Sequence, residues 1–192
     1  MSALALNRPL VGRFIPDEGA ARIVALAGFA VLGSLILWAS AKVSVPFWPV
    51  PMTLQTGAVA LLAAAYGWRL GLATVVLYLM EGAAGLPVFQ GGGGLAYLAG
   101  PTGGFLIGFA LAAALVGWFA ERGFDRNPVK LFGAMLVADA IVFALGLLWL
   151  GTVIGWDKPV LQLGLYPFIL GDLVKMALAA ALVSAGARLV RR

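Results

Sequence analysis

The chain has 192 residues, of which 62% are hydrophobic and 11% charged, with a mean hydropathy of +1.02 and a net charge of +5. Soluble domains average about 45–50% apolar and about 25% charged residues, so this composition excludes an ordinary water-soluble domain and points to a bilayer as solvent. Cysteine and histidine are absent, which excludes disulfides, thiolate nucleophiles, histidine bases and metal or haem sites built from those ligands.

The length suits a single domain, residues 1–192, with an N-terminal segment (1–21) ahead of a membrane domain (22–190). That segment carries Arg8, Arg13, Asp17 and Glu18 without a long apolar core, so no cleavable signal peptide is expected. The first predicted span runs from Arg22 to Ala41. It is followed by KVSVPFWPVPMTLQT, whose prolines Pro46, Pro49 and Pro51 remove backbone donors and oppose helix. The second span, Thr53 to Tyr66, falls short of the ~20 residues needed to cross a bilayer. A short span joined to an irregular loop predicts a cavity, because non-helical backbone at membrane depth survives only inside protein or beside water.

The third span runs from Leu70 to Ala84. The linker GLPVFQGGGGLAYLAGPTGG, residues 85–104, is too glycine-rich for a continuous helix yet carries large apolar residues, so it is expected to fold over the protein. The fourth span, Pro101 to Ala120, places a proline in its first turn. A charged hinge, ERGFDRNPVK, separates it from the fifth span, Leu131 to Ile154. The sixth span is Phe168 to Val190.

Six spans put Arg8, Arg13, Arg22, Arg69, Arg122, Arg126, Lys130, Arg188, Arg191 and Arg192 on one side, against Lys42 and Lys158 on the other. The positive-inside rule then predicts cytoplasmic termini, with the proline loop, the glycine linker and the start of the sixth span facing outward. The fold class expected is an all-α integral membrane protein of six transmembrane helices in the cytoplasmic membrane.

Within the sixth span, Asp172 and Lys175 share a helix face at i, i+3. Ionisable groups at membrane depth are costly and are functional by default. The alternative is a self-neutralising pair, or a lysine that snorkels outward. As a functional pair they predict a polar pocket for a neutral ligand with adjacent donors and acceptors, or for a small anion. Thr53, Gln55 and Thr56 follow the proline loop. Thr53 suits a helix N-cap, and Gln55 needs partners at this depth, from either ligand or protein. The glycine linker is either a mobile connection or a lid carrying Phe89, Gln90 and Tyr97 over the pocket. Gly104, Gly108 and Ala112 form a row of small residues suited to close helix packing. Asp139 either reaches the pocket or bonds a neighbouring helix, and Glu81 is expected at interfacial water. No phosphate-binding loop of the form G-x-x-x-x-G-K-[ST] occurs.

Taken together and in order, VPMTLQT, GLPVFQGGGGLAYLAGPTGGFLIGF and LGDLVK resemble the BioY family across residues 45–185. These proteins are the biotin-specific substrate-binding (S) components of energy-coupling factor (ECF) vitamin transporters. The resemblance implies an S-component fold in which six helices enclose a biotin pocket near the outer surface, closed by the loops after the first and third helices. The family's acidic and basic pair falls on Asp172 and Lys175, facing the polar groups of biotin. Gln55, Thr53, Tyr97, Gln90 and Phe89 complete the expected ligand set. The implied partners are a transmembrane coupling protein and two cytoplasmic ATPases, with no cofactor, no metal and no nucleic acid. Small residues on the first helix are the usual docking surface in S components, and here Phe29 interrupts that row.

Two other classes compete with this reading. An intramembrane hydrolase would need an aspartyl dyad such as Asp139 and Asp172, but Lys175 one turn away favours an ionised carboxylate over a shared proton. A ligand-free structural or assembly protein remains the main alternative, and ligand-dependent stability separates it from a binder.

Overall fold

A computed structural model describes residues 8–190. Residues 1–7, part of the N-terminal segment, lie outside the described residues, as do Arg191 and Arg192 of the charge asymmetry. Six long helices dominate: α1 (Gly19–Lys42), α2 (Gln55–Tyr66), α3 (Trp68–Ala83), α5 (Gly103–Glu121), α6 (Pro128–Ile154) and α8 (Tyr166–Val190). Two short helices, α4 (Leu95–Leu98) and α7 (Val160–Gly164), lie in the connections. Each predicted span coincides with one long helix, with ends differing by up to three residues. By length and apolar character, α1, α5, α6 and the stretch Val160–Leu189 can each cross a membrane, whereas α2 and α3 are shorter.

The layering follows from burial. In α5, 61% of the apolar window is buried within the protein, against 22% in α1. Helix α5 is therefore the central post, packed on α2, α3 and α6, while α1 lies at the periphery against α2 and α3. The small-residue row of α5 explains its close approach to α6. A Cβ at Gly108 would lie 2.9 Å from the Val142 Cα, and one at Gly104 would lie 2.6 Å from the Leu145 carbonyl oxygen. Internal packing is thus the use of that row.

Local signals set several helix ends. Asn127 caps α6, its Oδ1 accepting from the Val129 and Lys130 amides at 2.9 and 3.2 Å, with Pro128 at the first helical position. Pro101 differs from expectation: α5 starts at Gly103, so the proline belongs to the preceding turn. Thr53 also differs. It lies in a short hairpin, β1 (Ser44–Val45) with β2 (Met52–Thr53), and Leu54 occupies the N-cap of α2. The Thr53 hydroxyl nonetheless accepts the Gln55 amide at 3.2 Å. The hairpin closes the proline loop at its base, so the loop's ends are tied together beside the start of α2.

Candidate ligand-binding site

The starts of α2, α5 and α8, the C-terminal half of α6, the proline loop and the glycine linker converge on one cavity of about 560 Å³, counting its mouth. All seven sequence-predicted residues line it: Thr53, Gln55, Phe89, Gln90, Tyr97, Asp172 and Lys175. They come from α2, the linker and α8, segments more than a hundred residues apart at the extremes.

Asp172 is 2% exposed. It forms an ion pair with Lys175 within α8, and its Oδ1 accepts the Thr56 hydroxyl at 2.7 Å. The Lys175 ammonium also donates to the Thr53 carbonyl at 2.9 Å. Asp172 is therefore tied to the first turn of α2, and Lys175 to the strand just before it. This arrangement satisfies each charge at depth, where an unpaired one would be costly, and it leaves both groups on the cavity wall. A carboxylate and an ammonium held side by side can accept from and donate to a ligand that offers both functions.

Gln55, 4% exposed, is held by protein partners as well as lining the cavity. Its Nε2 donates to the Tyr78 hydroxyl at 2.9 Å, and Tyr78 donates in turn to the Val88 carbonyl at 2.9 Å. The chain of bonds runs from α2 through α3 into the glycine linker.

The linker itself is folded down on the bundle. Lys42, at the end of α1, donates to the Phe89 carbonyl at 2.6 Å and to the Gln90 carbonyl at 3.4 Å. Gln90 reaches the Ser44 hydroxyl at 3.4 Å. The Phe89 ring is 1% exposed, meets Tyr78 edge-on with centroids 5.4 Å apart and stacks on Tyr97 at 5.1 Å. Its seat is Gly82, where any side chain would collide with the ring. Glycine at 82 thus permits the linker to pack down on α3. Apart from Thr56 and Thr102, the remaining wall is apolar, with Phe105, Leu106, Phe109, Val142, Phe143 and Phe168. The cavity pairs one polar side with one greasy side.

The sequence reading names Thr56 without giving it a role and does not place Tyr78 or Lys42 at the site; all three hold it together through contacts with distant parts of the chain. Glu81, partly exposed, accepts the Ser34 hydroxyl of α1 at 3.1 Å. Asp139 is 8% exposed and lies outside this cavity, on a smaller one beneath it. The supposed aspartyl dyad is not brought together around a common opening.

The sequence and the fold find counterparts among known proteins. The chain is 39% identical over 140 residues to the probable biotin transporter BioY of Pyrococcus horikoshii, covering 72% of this chain and 82% of that protein. It is 39% identical over 142 residues to the biotin transporter BioY of Thermotoga maritima, covering 73% and 82%. Biotin transporter BioY2 of Lactococcus lactis is 35% identical over 150 residues, covering 77% and 81%. The fold matches a crystal structure of the S-component for biotin from an ECF-type ABC transporter, with TM-score 0.77 at 24% identity, over 92% of this chain and 96% of that one. The BioY sequence profile spans residues 15–192, and on that match and these relatives the chain belongs to the BioY family.

Proposed function

We propose that this chain binds biotin and serves its uptake as the substrate-binding component of an ECF-type transporter. One observation carries the reading: a satisfied Asp172–Lys175 pair, on the polar side of the cavity, faces a ring-lined apolar side beneath a pinned linker. Biotin's ureido group has two N–H donors and one carbonyl acceptor, which a carboxylate and an ammonium can answer, and its apolar thiolane and valeryl carbons suit the phenylalanine wall. The protein is a binder and not an enzyme. In this reading Asp172, Lys175, Thr53 and Gln55 supply the polar contacts, and Phe89, Gln90 and Tyr97 form the cover. The chain is one domain, residues 1–192, in the cytoplasmic membrane. All six long helices cross it, and both termini face the cytoplasm, in keeping with the clustering of arginines at one end. A transmembrane coupling protein and two cytoplasmic ATPases complete the transporter.

Equilibrium binding of labelled biotin to the purified protein in detergent tests this, competed by dethiobiotin, thiamine and riboflavin. Tight binding displaced only by the biotin-like competitor is expected, with a matching rise in melting temperature. A folded protein that neither binds biotin nor gains stability from it would favour the ligand-free structural role.

A further inference from the structure

The hydrogen bonds around Gln55 have a direction that is fixed from one end. The Val88 carbonyl, in the glycine linker, can only accept, so the Tyr78 hydroxyl donates its one proton there, at 2.9 Å. The Tyr78 oxygen is left as an acceptor, and the Gln55 Nε2 donates to it at 2.9 Å. The other end of the amide, Oε1, then lies toward Thr53, whose hydroxyl donates to it at 3.3 Å. Reversing the amide would set two acceptors against each other at Tyr78, which is fully buried. Tyr78 is not on the cavity wall, whereas Thr53 and Gln55 are.

The polar side of the cavity has a use for that oxygen. Lys175 and Thr56 both meet Asp172 at Oδ1, so Oδ2 is the oxygen left to a ligand. One N–H of a ureido group can go there. The second N–H needs another acceptor, and Lys175 can only donate. The Gln55 Oε1 is an amide oxygen with two lone pairs, of which Thr53 takes one.

We propose that Tyr78 is a positioning residue for specificity: tied to the closed linker, it holds the Gln55 amide with Oε1 as the acceptor for the second ureido N–H. When the linker lifts, the Val88 carbonyl leaves with it. The Tyr78 proton can then turn to Gln55, and the amide loses its fixed direction. Linkage makes the effect reciprocal, so a ligand that engages Oε1 favours the closed linker. The ligand's identity rests on the biotin reading, whereas the tie between Tyr78 and the linker belongs to the ligand-free chain.

Tyr78→Phe keeps the ring edge-on to Phe89 and removes only the hydroxyl. Hydrogen–deuterium exchange of the ligand-free protein in detergent reads the tie to the linker. The Gly94 amide, which donates to the Gly82 carbonyl of α3 at 2.7 Å, should exchange about three- to tenfold faster in the variant, with α6 amides unchanged. Unchanged Gly94 exchange, or a rise throughout the chain, overturns the tie whatever the protein binds. Affinities for biotin and for its two derivatives methylated at one ureido nitrogen read the positioning. A merely structural loss weakens all three ligands alike. Loss of a fixed acceptor weakens biotin more than the derivative that lacks the N–H facing Gln55, so the ratio of those two affinities should fall by about three- to tenfold. On biotin alone, the losses from Tyr78→Phe and Gln55→Met should combine to less than their product in the double variant. Unchanged ratios, or losses that multiply in full, overturn the specificity role. A wild-type protein that binds no biotin overturns the biotin reading and the specificity role with it, and the exchange result still decides the tie.

Discussion

Two cavities open at opposite ends of α2 and α5, and the smaller one carries the candidate site. The ligand cavity lies at the N-terminal ends of these helices and has about 560 Å³. A wider groove of about 1510 Å³ lies at their C-terminal ends, between residues 8–17 and α1 and α3. The groove also holds charges, but they are solvated or spoken for. Arg8 pairs with Asp17 with both side chains largely exposed, Arg22 donates to the Pro16 and Asp17 carbonyls, and Arg69 lies over the Trp68 ring. Exposed pairs of this kind contribute little. In the smaller cavity, every charge is buried or half-buried and crosses between elements. Volume alone does not mark a site; desolvated polar groups held by distant parts of the chain do.

Five substitutions test this contrast. Asp172→Asn and Lys175→Ala should have the largest effects. Each leaves its partner buried and unpaired, at about 3–5 kcal/mol in comparable pairs, so biotin affinity should fall by roughly two to three orders of magnitude in a protein that still elutes as a folded species. Normal binding by both would remove the pair from the site. Lys42→Met comes next. It deletes the charge-assisted bond that holds the lid at Phe89, a contact class worth about 1.5–3 kcal/mol, and should speed biotin release by about tenfold or more in a dissociation time course. Tyr97→Ala should do the same more weakly, by severalfold, because it removes one stacked aromatic pair of about 0.5–1.5 kcal/mol. An unchanged dissociation rate would take Tyr97 out of the cover. Smallest of all, Arg69→Gln in the wide groove should leave biotin affinity within experimental error. A loss comparable to that of Asp172→Asn would erase the distinction between the two cavities.

Lys42 and Gln55 show how much of this was readable beforehand. Gln55 stood out because an amide at membrane depth needs partners, and that reasoning holds for any fold. Its actual partner, Tyr78, lies on another helix and has no sequence mark of its own. Lys42 reads as an ordinary basic residue at a helix end, where snorkelling to the interface is the common fate. Only the return of the glycine linker past the end of α1 turns it into a latch.

The sequence by itself determined the solvent, the six helical segments and the identity of the polar pair. Hydropathy and helix-breaking residues act locally, so the proline loop, the glycine linker and Asn127 set element ends without reference to distant contacts. Tertiary structure alone decided which segments meet. It placed Thr56 against Asp172, Lys42 against the lid, Phe89 on Gly82 and Asp139 in a chamber of its own. Those outcomes depend on how the helices pack on one another, and close helix packing is a property of surfaces brought together, which no single stretch of chain encodes.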